Sequence, residues 1–391
     1  MRIRDLGYMP GQLPVGPKNS ILDIKGLSIS QKTVVEAGPT GPIVKGVTVI
    51  LPRPTSSLFK HPVYAAFHVL NGNGELTGSH QIRDWGTINM PIAMCNSLSL
   101  GNTFQGLWEW VLSQWRKESI PEDEMGRLYG TPVVGETCDW WLNGIETSIV
   151  DKALAIEACD LAASGAQGEV LEGPFGGGAG MTCHEFVAGV GTSSRLVKGE
   201  EGKEYVVAAI VQSNYGHTND LRIGGVPVGR VLLQEKEVAP AKGTEGKADD
   251  GSILIYIFTD APLIPHQLQR LAQRASIGLS QVGSHGSGRN HSGDIFLAVS
   301  TGNQTNELLV SPNGEKINHR HPPVQSYDVE TIRNESINAV FRAGSEAVEE
   351  AILNSLVGGR EGRRGKEGET LKLEGLPVEK VKDILQKYLV K

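Results

Sequence analysis

Two stretches of the chain are apolar on both faces, and shorter patterned runs surround them. Ile253–Thr259 and Tyr205–Ser213 run almost without a polar position, as strands do when layers cover them on each side. Lys45–Leu51, Val63–Leu70 and Ile295–Thr301 are further β-favouring runs, and Ile21–Ser30 also reads as a strand. Helical spacing recurs over Phe104–Glu118, where Phe104, Leu107, Trp108, Val111, Leu112 and Trp115 share one face. A second helix is expected over Ser148–Ser164, buried through Ile149, Ala153, Ile156 and Ala163. Pro265 opens a third, since proline is tolerated in a first helical turn, with Leu268, Leu271, Ala272, Ala275 and Leu279 inward. The pattern predicts a long helix over Ser336–Leu356 and a short amphipathic one from Val378. Asn71-Gly72-Asn73-Gly74 is a strong turn signal. Residues 1–20, rich in Gly and Pro, read as an extended arm laid over the surface.

Composition narrows the class. The chain has 391 residues, 39% of them hydrophobic, enough for a substantial core. Its 49 glycines follow no collagen-like period and point to tight turns and close backbone approaches. A net charge of −7 and a pI near 5.9 argue against a nucleic-acid partner. Cys95, Cys138, Cys159 and Cys183 have no paired CxxC spacing, which favours reduced thiols and a cytoplasmic protein. No signal core or membrane-length apolar window is present, so no membrane partner is expected. No metal and no cofactor are expected either. His184, His217, His285 and His291 are isolated and read as polar surface or satisfied histidines, and His319-Arg320-His321 is a weak metal signal alone. The glycine cluster in Glu172–Met181 lacks the Lys-Ser/Thr ending of a phosphate loop and reads as a packing element.

Candidate chemistry gathers at strand ends. Gln234–Gly251 is charged, glycine-containing and without hydrophobic period, a mobile linker that meets the apolar strand at Gly251-Ser252. Gly–Ser alone is ordinary turn punctuation. A serine at the first position of a buried strand can also attack the preceding carbonyl, and Gly251 offers no side chain to hinder it. Hydrolysis of the resulting ester would leave Ser252 as a new N-terminus, whose α-amine (unperturbed pKa about 7.7–8.0) can serve its own hydroxyl as base. The strand ending at Ser213 delivers Asn214, a neutral donor suited to an oxyanion. Val133-Val134-Gly135 delivers Glu136 and then Asp139. A carboxylate there can hold a cationic substrate group or act as acid or base; a solvated loop acid is the plainer reading.

Together these segments resemble one family, the self-processing serine aminopeptidases known as L-aminopeptidase/D-esterases, which include the β-aminopeptidases. The resemblance is carried by an ordered set: Gly46–Ile50, Gly74-Glu75-Leu76-Thr77-Gly78, Val133–Thr137, Glu172–Met181, Val211–Gly216, Asp250-Gly251-Ser252-Ile253, Thr259-Asp260-Ala261-Pro262 and Ser292-Gly293-Asp294-Ile295. It spans about residues 10–355, with the tail past Gly358 outside it.

The resemblance implies an α+β fold, a four-layer αββα sandwich laid out like the N-terminal-nucleophile hydrolases but with different strand connectivity. It implies one catalytic domain over 1–357 with a C-terminal extension at 358–391, cut at Gly251-Ser252 into chains 1–251 and 252–391. By the same carry-over Ser252 is the nucleophile, Asn214 the oxyanion donor, Glu136 the acid near the substrate's free amine, and Ser287 the serine of the later glycine-rich loop. Small peptides, aminoacyl amides or esters are the implied substrates, and a homo-oligomer, a tetramer of cleaved heterodimers, the implied assembly. Where family members often carry Asn-Asp-Gly after the Glu-Thr pair, this chain has Cys138-Asp139-Trp140-Trp141, which bears on the substrate pocket. An acyltransferase of the ornithine acetyltransferase type, which uses threonine, and an uncleaved binding or assembly protein are the rival readings.

Overall fold

The computed structural model describes residues 1–38, 41–126, 128–140, 142–143, 150–235, 251–285, 287–303, 326–365 and 372–390. The linker residues 236–250, Trp141, and His319 with His321 lie outside them.

In chain order the early strands are β1 (Ser28–Gly38), β2 (Gly41–Leu51), β3 (Val63–Gly72), β4 (Thr87–Ile88), β5 (Ile92–Asn96) and β6 (Val133–Thr137). A small hairpin, β7 (Thr182–Cys183) and β8 (Phe186–Val187), precedes β9 (Val190–Lys198), β10 (Glu204–Asn214), β11 (Ser252–Thr259) and β12 (Gly293–Ser300). The main helices are α1 (Leu100–Lys117), α2 (Lys152–Ser164), α3 (Pro265–Val282), α4 (Asn338–Gly358) and α5 (Val378–Tyr388). One sheet has the order β1-β2-β5-β6, the other β4-β3-β12-β11-β10-β9. Both are mixed: β5/β6 and β11/β12 are parallel, and the remaining pairs are antiparallel.

The period-2 alternation of side chains makes the layers. In β11, Ile253, Ile255 and Ile257 join the core under α3 and α4, while Leu254, Tyr256 and Phe258 join the core between the sheets. Ile50, Ile92 and Met94 meet them from the opposite sheet. Val47, Val49, Ala93 and Val134 point the other way, onto α1 and α2. The result is the expected four-layer αββα sandwich, with both apolar runs as central strands.

Four segments differ from what their local pattern predicts. The Ile21–Ser30 strand is a 3₁₀ turn at Ile21–Asp23, capped by Ser20, and the strand begins at Ser28. Half of β1 is an exposed edge with polar residues, which hid it from a hydrophobic pattern. The N-terminal arm is anchored, not laid on the surface: Ile3 and Leu6 are fully buried, and Arg4 pairs with Glu350 of α4 at 2.7 Å. Helix α2 buries Ala155, Ala158, Cys159 and Ala162, while Ala153 and Ala163 are exposed. Its alanines give little contrast between faces, so periodicity chose the wrong one. In α1 the buried face is centred on Leu107, Trp110, Val111 and Trp115, with Phe104, Trp108 and Leu112 partly buried beside it.

The glycine cluster fills a packing role. Gly176–Gly178 form a 3₁₀ turn against the interior end of the sandwich, where a Cβ on Gly177 would run into the Gln212 side chain and the Met94 carbonyl. Helix α5 of the tail contributes Val381, Ile384 and Leu385 to the core of the helix layer. Among the described residues, no helix is long and apolar enough to cross a membrane.

Candidate active site

Strand parity brings the site residues together. Asn214 and Ser252 are directly opposite each other as a terminal pair of the β10/β11 ladder. Both continue the parity of residues that face the second sheet (Ala208 and Ile210; Leu254 and Tyr256), so their side chains leave at the open end of the inter-sheet layer. There a cleft of 160 Å³ is lined by Ser252, Asn214, Gly251, Asn73, Cys138, Trp140 and His291.

Ser252 is 7% exposed, at the edge between core and cleft. Its other neighbour is the parallel strand β12, in register with Gly293. The Gly293 N–H lies 3.3 Å from the Gly251 carbonyl oxygen and 3.2 Å from Ser252 Oγ, so one donor faces both.

The Asn214 amide cannot turn over. Its Oδ1 accepts the Thr182 N–H at 3.1 Å, and its Nδ2 donates to the Cys138 carbonyl at 2.7 Å. An amide nitrogen carries two protons; one is used on Cys138 and the group lines the cleft. The 138–140 backbone that receives it is tied down by Asp139, buried on Lys45 at 3.3 Å and on Asn143 at 2.9 Å.

Glu136 is on β6, one residue before the strand's end, and is partly buried. Its carboxylate accepts the Ser97 hydroxyl and the Glu75 N–H, the latter at 3.0 Å. Burial pushes its pKa above the usual carboxylate value and the neighbouring Glu75 adds to the rise, while the two hydrogen bonds oppose it. Glu136 does not line the cleft around Ser252; it stands beyond the Asn73-Gly74-Glu75 turn, with Oε1 close to Gly74. Cys138, a second nucleophile type in the same cleft, has its thiol pushed up by burial and by the Asp139 and Glu136 charges, and stays protonated near neutrality.

Ser287 is not in the cleft lining. It sits beside the Asp294 carboxylate, its buried Oγ without a well-formed hydrogen bond. Asp294, the second residue of β12, is the carboxylate behind it. It is wholly buried, accepts Gly288 N–H at 2.6 Å and Ser292 Oγ at 2.7 Å, and burial raises its pKa. The sequence carried a signal for it: an acid as the second residue of a strand otherwise apolar.

The histidines differ from the surface reading in one case. His184 is fully buried, held through Nδ1 to the His217 carbonyl at 2.9 Å with its Nε2 lacking a hydrogen bond, and burial drives its pKa down to about 4. His217 is half-buried between Glu185 and Arg289, and His291 is exposed at the cleft rim. Among the described residues no group of three or more His, Cys, Asp or Glu could hold a metal ion.

The model of peptidase family S58 matches residues 19–370. A β-peptidyl aminopeptidase of Sphingosinicella microcystinivorans is 36% identical over 401 residues, covering 99% of this chain and 92% of the relative. Among solved structures, a β-aminopeptidase of a Burkholderia species is 39% identical with both chains fully covered and a TM-score of 0.82. The L-aminopeptidase D-Ala-esterase/amidase of Ochrobactrum anthropi, described as a variant of the Ntn-hydrolase fold, is 35% identical with a TM-score of 0.83, covering 99% of this chain and 98% of its own.

Proposed function

The chain belongs to peptidase family S58, and from that premise we propose that Ser252 is the self-made N-terminal nucleophile of a serine aminopeptidase. Support comes from one placement above all: Ser252 begins a buried strand at a cleft, with Asn214 opposite and the Gly293 N–H on both the Gly251 carbonyl oxygen and Ser252 Oγ.

Maturation is an N→O acyl shift. Ser252 Oγ forms a bond to the Gly251 carbonyl carbon while Gly293 N–H stabilises the oxygen. The Gly251–Ser252 C–N bond breaks, the hydroxyl proton passes to the departing nitrogen, and an ester remains. Water hydrolyses it to a Gly251 carboxylate and a free Ser252. Chains 1–251 and 252–391 then stay together as one sandwich.

Turnover reuses the same atoms. The Ser252 α-amine takes the Oγ proton as Oγ attacks the substrate carbonyl, and the remaining Asn214 Nδ2 proton meets the oxyanion, a donor worth about 10²–10³ in rate in comparable sites. The amine returns the proton to the leaving nitrogen, and water then resolves the acyl-enzyme. Glu136 is the counter-charge for the substrate's free ammonium, at the far side of the Asn73–Glu75 turn. Ser287 acts behind the site, on Asp294. The substrates are peptides, aminoacyl amides or esters with a free amino end, β-aminoacyl residues included. A cytoplasmic tetramer of cleaved heterodimers completes the reading.

The test is an intact mass and N-terminal sequence under denaturing conditions. Two chains are expected, the smaller starting Ser252-Ile253-Leu254; a single full-length chain after long incubation would overturn the reading.

A further inference from the structure

Asn71, near the end of β3, and Asn73, in the turn after it, make an unusual use of their amides. Turn asparagines ordinarily bond their own backbone two residues on. These two reach 218 to 221 positions along the chain instead: Asn71 Nδ2 donates to the Arg289 carbonyl at 2.6 Å and to the Ser292 carbonyl, and Asn73 Nδ2 donates to the His291 carbonyl at 2.8 Å. The Asn73 backbone N–H adds a second donor to Ser292 O at 3.2 Å.

The Ser292 carbonyl and the Gly293 N–H belong to one peptide unit, which is planar and rigid. Holding the oxygen therefore aims the N–H on the opposite side. That N–H is the one facing Gly251 O and Ser252 Oγ. The turn also closes on Gly293 directly, since a Cβ there would sit 2.5 Å from Asn73 O and 3.1 Å from Gly74 Cα. A bulge serves the arrangement: the β3/β12 register passes from Asp294↔Asn71 to Ile295↔Val69, leaving Leu70 unmatched. Bulges beside active sites commonly re-aim a side chain in this way.

We propose that Asn71 and Asn73 are positioning residues for both reactions: their amides fix the 289–292 backbone so that the Ser292–Gly293 peptide presents its N–H to the scissile carbonyl and the nucleophile together. The proposal rests on Ser252 being the nucleophile.

Asn71→Asp and Asn71→Ala test it, the first keeping the shape and removing both donors. Self-cleavage is followed by intact mass from freshly made protein, and kcat and KM are measured on the matured fraction with an aminoacyl p-nitroanilide. Both variants should mature about 10-fold to 100-fold more slowly, the range that small misplacements of reacting groups produce. The kcat should fall by at least about 10-fold with KM within about twofold, and Asn73→Ala should show a smaller loss because its backbone donor remains. Leu70→Ala, at the neighbouring bulge of β3 and without an amide, should match wild type. Folding is checked in a Ser252→Ala background by thermal melting. Rates within about twofold of wild type for both Asn71 variants would overturn the proposal. So would loss of the folded state in all the Asn71 and Asn73 variants, which would mark the amides as structural only. A wild-type chain that never cuts, or a Ser252→Ala chain that still hydrolyses substrate, would instead refute the nucleophile assignment itself.

Discussion

Asn214 and Ser252, 38 positions apart in the chain, stand opposite each other where the β10/β11 ladder meets the cleft. Neighbours across an antiparallel pair have Cβ atoms about 4.5–5.5 Å apart, which puts an amide donor beside the reacting hydroxyl. Ser252→Ala should therefore remain one chain and be inactive. Asn214→Ala should lower kcat by about 10²–10³, read from steady-state kinetics of whatever fraction matures. Retention of more than a tenth of the wild-type kcat in Asn214→Ala would remove it from the oxyanion site.

The pH profile should separate the amine from Glu136. The Ser252 amine must be neutral to act as base, so kcat/KM falls about tenfold per pH unit below about 8. Glu136 must be ionised to hold an ammonium, and burial raises its pKa above the ordinary carboxylate value. As pH falls through that raised value the slope of log kcat/KM should steepen from one towards two. In Glu136→Gln the slope should stay at one and KM should rise at every pH. A profile unchanged by Glu136→Gln would contradict its role.

Trp140 walls a cleft of only 160 Å³, next to Cys138 and Ser252. A dry cavity of that order holds a group about the size of benzene. Trp140→Gly should shift the ratio of kcat/KM for large over small aminoacyl p-nitroanilides upward by about 10-fold or more, the scale on which pocket size discriminates. An unchanged ratio would mean that some other wall sets the preference.

His184 should make the fold acid-sensitive. Burial holds its pKa at about 4, below the unfolded value of about 6.5. The folded state thus binds fewer protons in that window, and the stability contributed above pH 6.5 is lost as pH falls towards 4, on the order of 3 kcal/mol. Glu136, Asp139 and Asp294, with raised pKa values, act in the opposite sense, so the difference against a variant is the clean quantity. His184→Asn suits the backbone, whose φ of 50° asparagine tolerates. Urea unfolding in a Ser252→Ala background, at pH 7 and pH 5, should show a smaller drop in stability for His184→Asn than for His184. Equal drops would place the sensitivity elsewhere.

Long apolar runs were legible because burial on both faces leaves no ambiguity of period: β10, β11 and α4 lie within a few residues of expectation. Segments with weak contrast were not. The alanine-rich α2 has small residues on every face, and β1 is half polar, so neither face nor strand could be told from local pattern. Ser252, Asn214 and Glu136 stand out as candidates in the sequence because each sits at the end of an apolar strand, a position visible in one dimension. Ser287 lies outside the cleft lining, and the 284–292 segment has no hydrophobic period on which to place it.

By itself, then, the order of residues determined that a serine opens a buried strand after a glycine, that an asparagine closes another, and which family motif surrounds them. These are properties of a residue and its chain neighbours. Tertiary structure alone decided that Asn214 pairs with Ser252, that Glu136 stands beyond the cleft, and that Asn71 holds the Ser292–Gly293 peptide. Register and peptide-plane direction come from contacts between segments as much as 221 residues apart at this site, fixed only when the whole core is buried at once, and no local pattern carries them.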